Sequence, residues 1–411
     1  MRAEIIATGS ELLTGRTVDT NSLFLADGLL DLGIETAFKS VVGDDEKDME
    51  EVFRRALDRA EVIVITGGLG PTEDDITRKV LARMLKKRLV LNEKALKAIK
   101  DVFAARNREY PASNDRQALI PSGGRVLANP VGIAPGFFLI EEGRFIAVLP
   151  GVPQEMRTMF SESLRHELAA HCRSEVFIHR KVLHTWGIAE SKVNEQLEDI
   201  LKKGKPVMGL TARETGVDIS ILAKEGSRDR ALTLADRTET EVRKRLGDAV
   251  YGMDSQAMEE VVGALLRHRK LTLSAAESCT GGLISSRITN TPGSSDYFER
   301  AVVTYSNASK TELLGVPAEL IAAHGAVSRE VAAAMATGIR ERAKTSLGIA
   351  ITGIAGPGGG TAEKPVGLVY LALATAEGVS VEERRFLGDR DQIRQRTAQA
   401  ALDMVRRHLI A

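Results

Sequence analysis

The chain has 411 residues, enough for two or three domains that each bury a core. Lys plus Arg (56) equals Asp plus Glu (56), so the formal charge is zero and there is no overall electrostatic footprint for nucleic acid or an anionic membrane. The two cysteines, Cys172 and Cys279, fall in different predicted domains, which excludes a disulfide framework or a cysteine zinc site. No 20-residue apolar span is evident. Met1 runs almost directly into strand-like residues 4–8, so no secretory peptide is evident either, and a soluble cytoplasmic protein is expected.

The first third alternates strand and helix. Strands are predicted at 4–8, 37–42 and 62–66, and helices at 21–32, 48–60, 77–85 and 93–106. Residues 137–140 and 145–148 read as strands around the turn Glu141-Glu142-Gly143, and a helix over 154–170 closes the unit. This pattern predicts a three-layer α/β domain over residues 1–170, with a mostly parallel sheet. The middle segment, 171–252, reads as a small α+β module of βαββα type. Its strands fall at 175–183, 207–211 and 217–223, and its helices at 189–201 and 228–246. Its acidic residues balance Arg213 and the nearby lysines, so a structural or dimerisation role is expected over RNA binding. Residues 253–257 are a short linker. A second three-layer α/β domain follows over 258–411, with strands at 271–276, 301–305, 348–352, 366–374 and 379–386 and a last helix over 392–410.

The most informative segment is Glu277-Ser278-Cys279-Thr280-Gly281-Gly282, a glycine turn between a buried strand and a helix. Such a turn suits either a phosphate or a nucleophile beside an oxyanion site. Two more segments follow predicted strands: Tyr305-Ser306-Asn307-Ala308-Ser309-Lys310, and Thr352-Gly353 opening a glycine-rich loop to Gly360. Ligands of open α/β sheets bind outside the carboxyl ends of strands, so parallel strands would turn all three segments toward one crevice. None of the three holds a histidine, which leaves Lys310, if burial makes it neutral, as the base for Ser278. Tyr305 would relay a proton or orient that pair, and backbone N–H groups of Thr280, Gly281 and Gly282 would stabilise an oxyanion. Arg390 and Arg394 open the last helix and could grip a phosphate. The plainer readings stand beside these. Ser278 or Thr280 can serve only as a helix cap, Tyr305 as a strand-end anchor, Lys310 and the arginines as solvated helix residues, and Cys279 as either a small buried residue or the rival nucleophile.

These motifs, with Pro292-Gly293-Ser294-Ser295, Gly325-Ala326-Val327-Ser328 and Thr352-Gly353-Ile354-Ala355-Gly356-Pro357, occur in one order over about 150 residues. In that order they resemble the competence/damage-inducible CinA family, whose C-terminal domain is a nicotinamide-nucleotide amidase. The resemblance implies hydrolysis of nicotinamide mononucleotide to nicotinate mononucleotide and ammonia without a cofactor. It implies Ser278, Tyr305, Lys310 and Thr352 as site residues, with Asn307 and Gly353 beside them on the substrate side. It also implies a homodimer.

A second group of strand-end clusters lies in the N-terminal domain. Thr66-Gly67-Gly68-Leu69-Gly70-Pro71-Thr72 follows a buried strand and leads into Glu73-Asp74-Asp75. Thr8-Gly9-Ser10-Glu11, with Asn21 behind it, and Pro150-Gly151, with Glu155 beyond, follow two others. Glycines let a backbone approach a phosphate, and Asp74 and Asp75 offer hard oxygen ligands for a divalent metal on a pyrophosphate. The plainer reading makes the two aspartates helix caps. This domain is similar to the molybdopterin-binding-like domain of full-length CinA proteins, which implies metal-dependent hydrolysis of ADP-ribose. The middle module resembles the family's KH-like domain. Two other readings remain: a nucleotide-sensing or scaffold protein in competence or recombination, and a molybdopterin-type binding domain without pyrophosphatase activity.

Overall fold

The computed structural model describes residues 1–172 and 176–411. They form two compact units, Met1–His179 with Lys224–Leu232, and Arg180–Ala223 with Thr233–Ala411.

In the first unit, β1 (Arg2–Thr8), β2 (Glu35–Val42) and β3 (Val62–Thr66) are followed by two short strands, β4 (Leu89–Leu91) and β5 (Leu119–Pro121), which pair with each other. β6 (Arg125–Leu127), β7 (Gly136–Glu141) and β8 (Arg144–Leu149) complete a six-stranded sheet of order β2-β1-β3-β8-β7-β6. β1, β2, β3 and β8 are parallel, and β7 and β6 join antiparallel. Side chains alternate between two cores, as the period of a strand requires. Ile5, Val62 and Val64 pack with Leu25, Leu29 and Phe160 on one face, and Ile6, Ile63 and Ile65 with Met49, Phe53 and Val80 on the other. The sheet is thus covered by helices on both sides, the arrangement a mostly parallel sheet needs. β4, β5 and β6 have three residues each, too few to show a periodicity in the sequence. The helix expected over 154–170 is Pro153–Met159 and Arg165–His171 with a π-helical turn, Phe160–Leu164, between them.

The middle module has a four-stranded sheet of order β10-β11-β9-β12, built from β9 (Phe177–Thr185), β10 (Val207–Arg213), β11 (Gly216–Glu225) and β12 (Val250–Met253). The strand expected over 175–183 is β9, with Glu175 outside the described residues. β12, hidden in the sequence next to the expected linker, pairs antiparallel with β9.

The remaining sheet runs β14-β13-β15-β16-β17, from β13 (Leu273–Glu277), β14 (Phe298–Val303), β15 (Leu347–Gly353), β16 (Leu368–Ala374) and β17 (Val379–Arg385). β13 is parallel to both β14 and β15. β16 and β17 turn antiparallel. On one face Leu273 and Ala275 pack with the helices Met258–Arg269, Leu283–Thr289 and Arg390–Ile410. On the other, Ala276 packs with Leu314, Ile321, Val331 and Met335 of three further helices. Because β14, β13 and β15 share a direction, the segments after Val303, Glu277 and Gly353 leave the same edge of the sheet.

Candidate functional site: a serine–lysine pair at a strand edge

Ser278 follows β13 and is 9% exposed; Lys310, on the helix Asn307–Leu314, is 1% exposed. Lys310 Nζ lies 3.2 Å from Ser278 Oγ and donates to the Thr304 carbonyl at 2.6 Å. Ser306 fixes the start of this helix, accepting a hydrogen bond from the Ser309 amide. Among the described residues no carboxylate forms an ion pair with the amine, and burial pulls the Lys310 pKa below that of an ordinary lysine. Burial thus favours the neutral amine at Lys310 relative to a solvated lysine. Cys279, 6% exposed and packed in the core with Ile284 and Ile288, has its thiol pushed up to about 12 by burial. That thiol stays protonated near neutral pH and is a poor nucleophile.

The turn itself is held by a residue whose role the sequence did not disclose. Glu277 is fully buried, and its carboxylate accepts from the amides of Gly282 (2.9 Å), Ile284 (3.2 Å) and Ser285 (2.9 Å), and from the Ser285 hydroxyl. It neutralises the positive end of the helix Leu283–Thr289. Gly281 and Gly282, at φ 58° and 94°, adopt the left-handed backbone that lets the chain turn into that helix. The expected oxyanion frame is narrowed accordingly. The Gly281 amide donates to the Ser278 carbonyl and the Gly282 amide to Glu277, which leaves the Thr280 amide of the three.

Arg390 and Arg394, in the first two turns of the last helix, both reach this edge. Arg394 Nη2 donates to the Thr280 carbonyl at 2.8 Å. Arg390 donates to the Gly356 carbonyl at 2.5 Å and to the Tyr305 hydroxyl at 3.0 Å. Tyr305 is 63% exposed, so its hydroxyl serves Arg390, and it is Thr304 that orients the Ser278–Lys310 pair. Asn307 is exposed at the first turn of the Lys310 helix. Thr352 is buried, and its hydroxyl donates to the Ala326 carbonyl at 2.7 Å, tying the end of β15 to the Gly325–Ser328 segment. A side chain on Gly353 would strike Val369 and the Leu368 carbonyl. Thr352 and Gly353 are thus held in place by their packing at the end of β15.

The first unit has a separate cavity of about 530 Å³ at the carboxyl ends of β1, β3 and β8. Thr8, Gly9, Glu11, Gly67, Gly68, Gly70, Asp74, Asp75, Gly151 and Glu155 all line it. A Cβ on Gly67 (φ 113°) would lie 2.4 Å from the Thr8 carbonyl oxygen, so glycine is required there. Two expected residues stand behind the wall. Asn21 donates to the Gly151 carbonyl (2.7 Å) and to Thr66 Oγ1, and Thr72 donates its amide to Asp75 at 2.9 Å. Asp44 and Arg106 also line the cavity. Asp44 lies two residues past the end of β2, so the strand-end rule applied to Gly43-Asp44 would have found it. Glu11, Asp44, Asp74, Asp75 and Glu155 share the wall, yet among the described residues no three acidic, histidine or cysteine side chains form a ready-made metal cluster.

Family models match all three segments. The CinA C-terminal domain matches residues 255–409, the probable molybdopterin-binding domain residues 4–170, and the damage-inducible protein CinA KH domain residues 180–252. A putative competence-damage inducible protein of Caldicellulosiruptor bescii is 43% identical over 411 residues, covering 100% of both chains. One from Moorella thermoacetica is 45% identical, covering 100% of this chain and 99% of the other. The chain belongs to the CinA family. A crystal structure of a competence/damage-inducible protein from Agrobacterium tumefaciens is 42% identical, with a TM-score of 0.36, covering 38% of this chain and 98% of that one. In this CinA-family chain the molybdopterin-binding-type segment contains the glycine-lined cavity, and the C-terminal segment contains the serine–lysine pair. No helix among the described residues is long and apolar enough to cross a membrane.

Proposed function

We propose that the C-terminal domain hydrolyses the carboxamide of nicotinamide mononucleotide to nicotinate mononucleotide and ammonia. The contact between Ser278 Oγ and the buried Lys310, which has no ion-pair partner among the described residues, carries this reading. Neutral Lys310 takes the Ser278 proton as Oγ attacks the carboxamide carbon. The carbonyl oxygen becomes an oxyanion facing the Thr280 amide. Collapse breaks the C–N bond, and the leaving nitrogen takes the proton back from Lys310 as ammonia. Water then attacks the acyl ester with Lys310 again as base, releasing the acid and restoring Ser278. Arg394 and Arg390 suit the phosphate, and no cofactor enters. Ammonia release by wild type and Ser278→Ala tests this: activity unchanged in the variant removes Ser278 as nucleophile.

For the N-terminal domain we propose metal-dependent cleavage of ADP-ribose at its pyrophosphate. Carboxylates spread around one cavity, with no closed cluster, suit a magnesium-type ion that takes one or two carboxylates and fills its shell from substrate oxygens and water. Such an ion, held by Asp74 or Asp75, would supply charge neutralisation at the pyrophosphate. Gly67 and Gly68 let the backbone approach the phosphates, while Asn21 and Thr66 hold the Pro150-Gly151 loop against them. Turnover of ADP-ribose with added divalent metal, lost in Asp75→Asn, is the expected result. Retention in the variant would take Asp75 out of the metal site, and no turnover by wild type with metal would reduce the domain to a binding module of molybdopterin type.

A further inference from the structure

A second cavity, of about 490 Å³, adjoins the glycine-lined one in the same domain. Both use Gly132 and Ile133 as wall, so the two meet at this dipeptide. The partition is built with care. Asn129 accepts from the Gly132 amide at 2.8 Å and donates to Glu155 Oε2 at 2.6 Å. A Cβ on Gly132 would lie 2.1 Å from the Glu155 carboxyl carbon, so only glycine lets that carboxylate close over it. The two cavities differ in chemistry. The first carries glycine backbone and the five carboxylates of Glu11, Asp44, Asp74, Asp75 and Glu155 with Arg106, and its lining is the more polar of the two. The second is walled chiefly by aliphatic groups, among them Ala98, Val102, Val126 and Pro135, with Asn92, Lys94, Arg125 and Asn129 as polar groups at its edge.

A nucleotide presents the same division, a charged phosphate part joined to a planar base with apolar faces and polar edges. We infer that the second cavity is the nucleobase subsite of the N-terminal site, receiving the base of a nucleotide whose phosphates lie across Gly132 in the first. This rests on the nucleotide reading of the first cavity given above. It adds which element selects the base: the helix Glu93–Ala105, whose Ala98 and Val102 face the second cavity and after which Arg106 lines the first. An apolar slot with few polar groups takes a base by area and shape, and adds specificity at its edge.

The test fills the slot from outside. Ala98 is exposed on its helix, so Ala98→Trp narrows the cavity without disturbing the core, and Lys94→Trp does so from another lining position. Lys97→Trp, exposed and not on the wall, is the control. With full-length protein and Mg²⁺, binding of AMP and of ribose 5-phosphate is measured by calorimetry, alongside ADP-ribose turnover, and melting temperatures verify folding. The expected result is at least a tenfold loss of AMP affinity in Ala98→Trp and Lys94→Trp, with ribose 5-phosphate binding as in wild type and the control unchanged. AMP binding unaffected in both folded variants, or AMP and ribose 5-phosphate weakened alike, overturns the base assignment while leaving the pyrophosphatase reading intact. Wild type that neither binds AMP nor turns over ADP-ribose overturns both.

Discussion

Lys310 reaches Ser278 from a neighbouring strand edge, with its Nζ 3.2 Å from the hydroxyl and its charge opposed by burial. The pairing depends on β13 and β14 being parallel, since only then do the turn after Glu277 and the helix after Val303 leave the sheet on the same side.

This pair sets a pH dependence. The folded-state pKa of Lys310 is lowered, so the base form accumulates below the range of a free lysine. The rate of ammonia release is expected to rise with pH through that lowered pKa. Lys310→Met should remove the rising limb and lower activity by roughly 10²–10⁴-fold. The stability sign is the reverse of a salt-bridged lysine. Between the lowered folded pKa and the unfolded one the unfolded state binds more protons, so stability rises with pH in that window. Below it the burial penalty is fully present, and Lys310→Met should melt at or above the wild-type temperature. A rising limb that survives in Lys310→Met would assign the base elsewhere.

Cys279 lies next to the proposed nucleophile yet is part of the core. With its thiol pushed up to about 12, iodoacetamide should leave native protein active near neutral pH. Cys279→Ala should keep ammonia release within a few-fold of wild type while costing about 1 kcal/mol of stability from lost packing. Inactivation by alkylation in step with modification of Cys279 would make the thiol the nucleophile.

Glu277 is the support of the turn. Glu277→Gln keeps the shape but swaps one acceptor for a donor facing buried amides, and it removes the charge at the helix end. A loss of ~2 kcal/mol is expected in denaturant melts. Ammonia release should fall as well, because the turn carries Ser278 and the Thr280 amide. A variant as stable and as active as wild type would show that the carboxylate is dispensable to the site.

How much of this the sequence disclosed follows from what a sequence can encode locally. Ser278, Thr352 and Gly67 each stand at or just past the end of a largely apolar stretch, and a buried strand ending in glycine or hydroxyl residues is visible without a structure. Arg390 and Arg394 are one turn apart, so their shared direction was legible too. The partner choices were not. Nothing in the spacing says that Glu277 folds back over the next helix and takes the Gly282 amide, or that Tyr305 turns outward to Arg390 while Thr304, one residue earlier, holds Lys310. The Glu277 and Tyr305 outcomes are fixed by side-chain direction at a strand end, where a shift of one residue changes the face, and Thr304 acts through its backbone carbonyl, which no residue type marks. The cavity beyond Gly132 was hidden for a similar reason, since β6 and the loop before β7 are too short to carry a period.

Arg394 provides the sharpest test of how the phosphate is held. Its Nη2 now donates to the Thr280 carbonyl, beside the oxyanion amide, so a phosphate gripped there would fix the pyridine carboxamide near Ser278. Arg394→Leu removes the charge while keeping an apolar side chain on the helix. A hydrogen bond to a charged group contributes about 1.5–3 kcal/mol, so KM for nicotinamide mononucleotide should rise by roughly 10–100-fold. Nicotinamide riboside lacks the phosphate, so its turnover should be slower in wild type and nearly unchanged by the substitution. Equal losses on both compounds would mean that Arg394 acts by holding the Thr280 turn, and would move the phosphate to Arg390. A loss confined to the phosphorylated substrate would place the phosphate against Arg394, where the start of the last helix and the Ser278 turn meet.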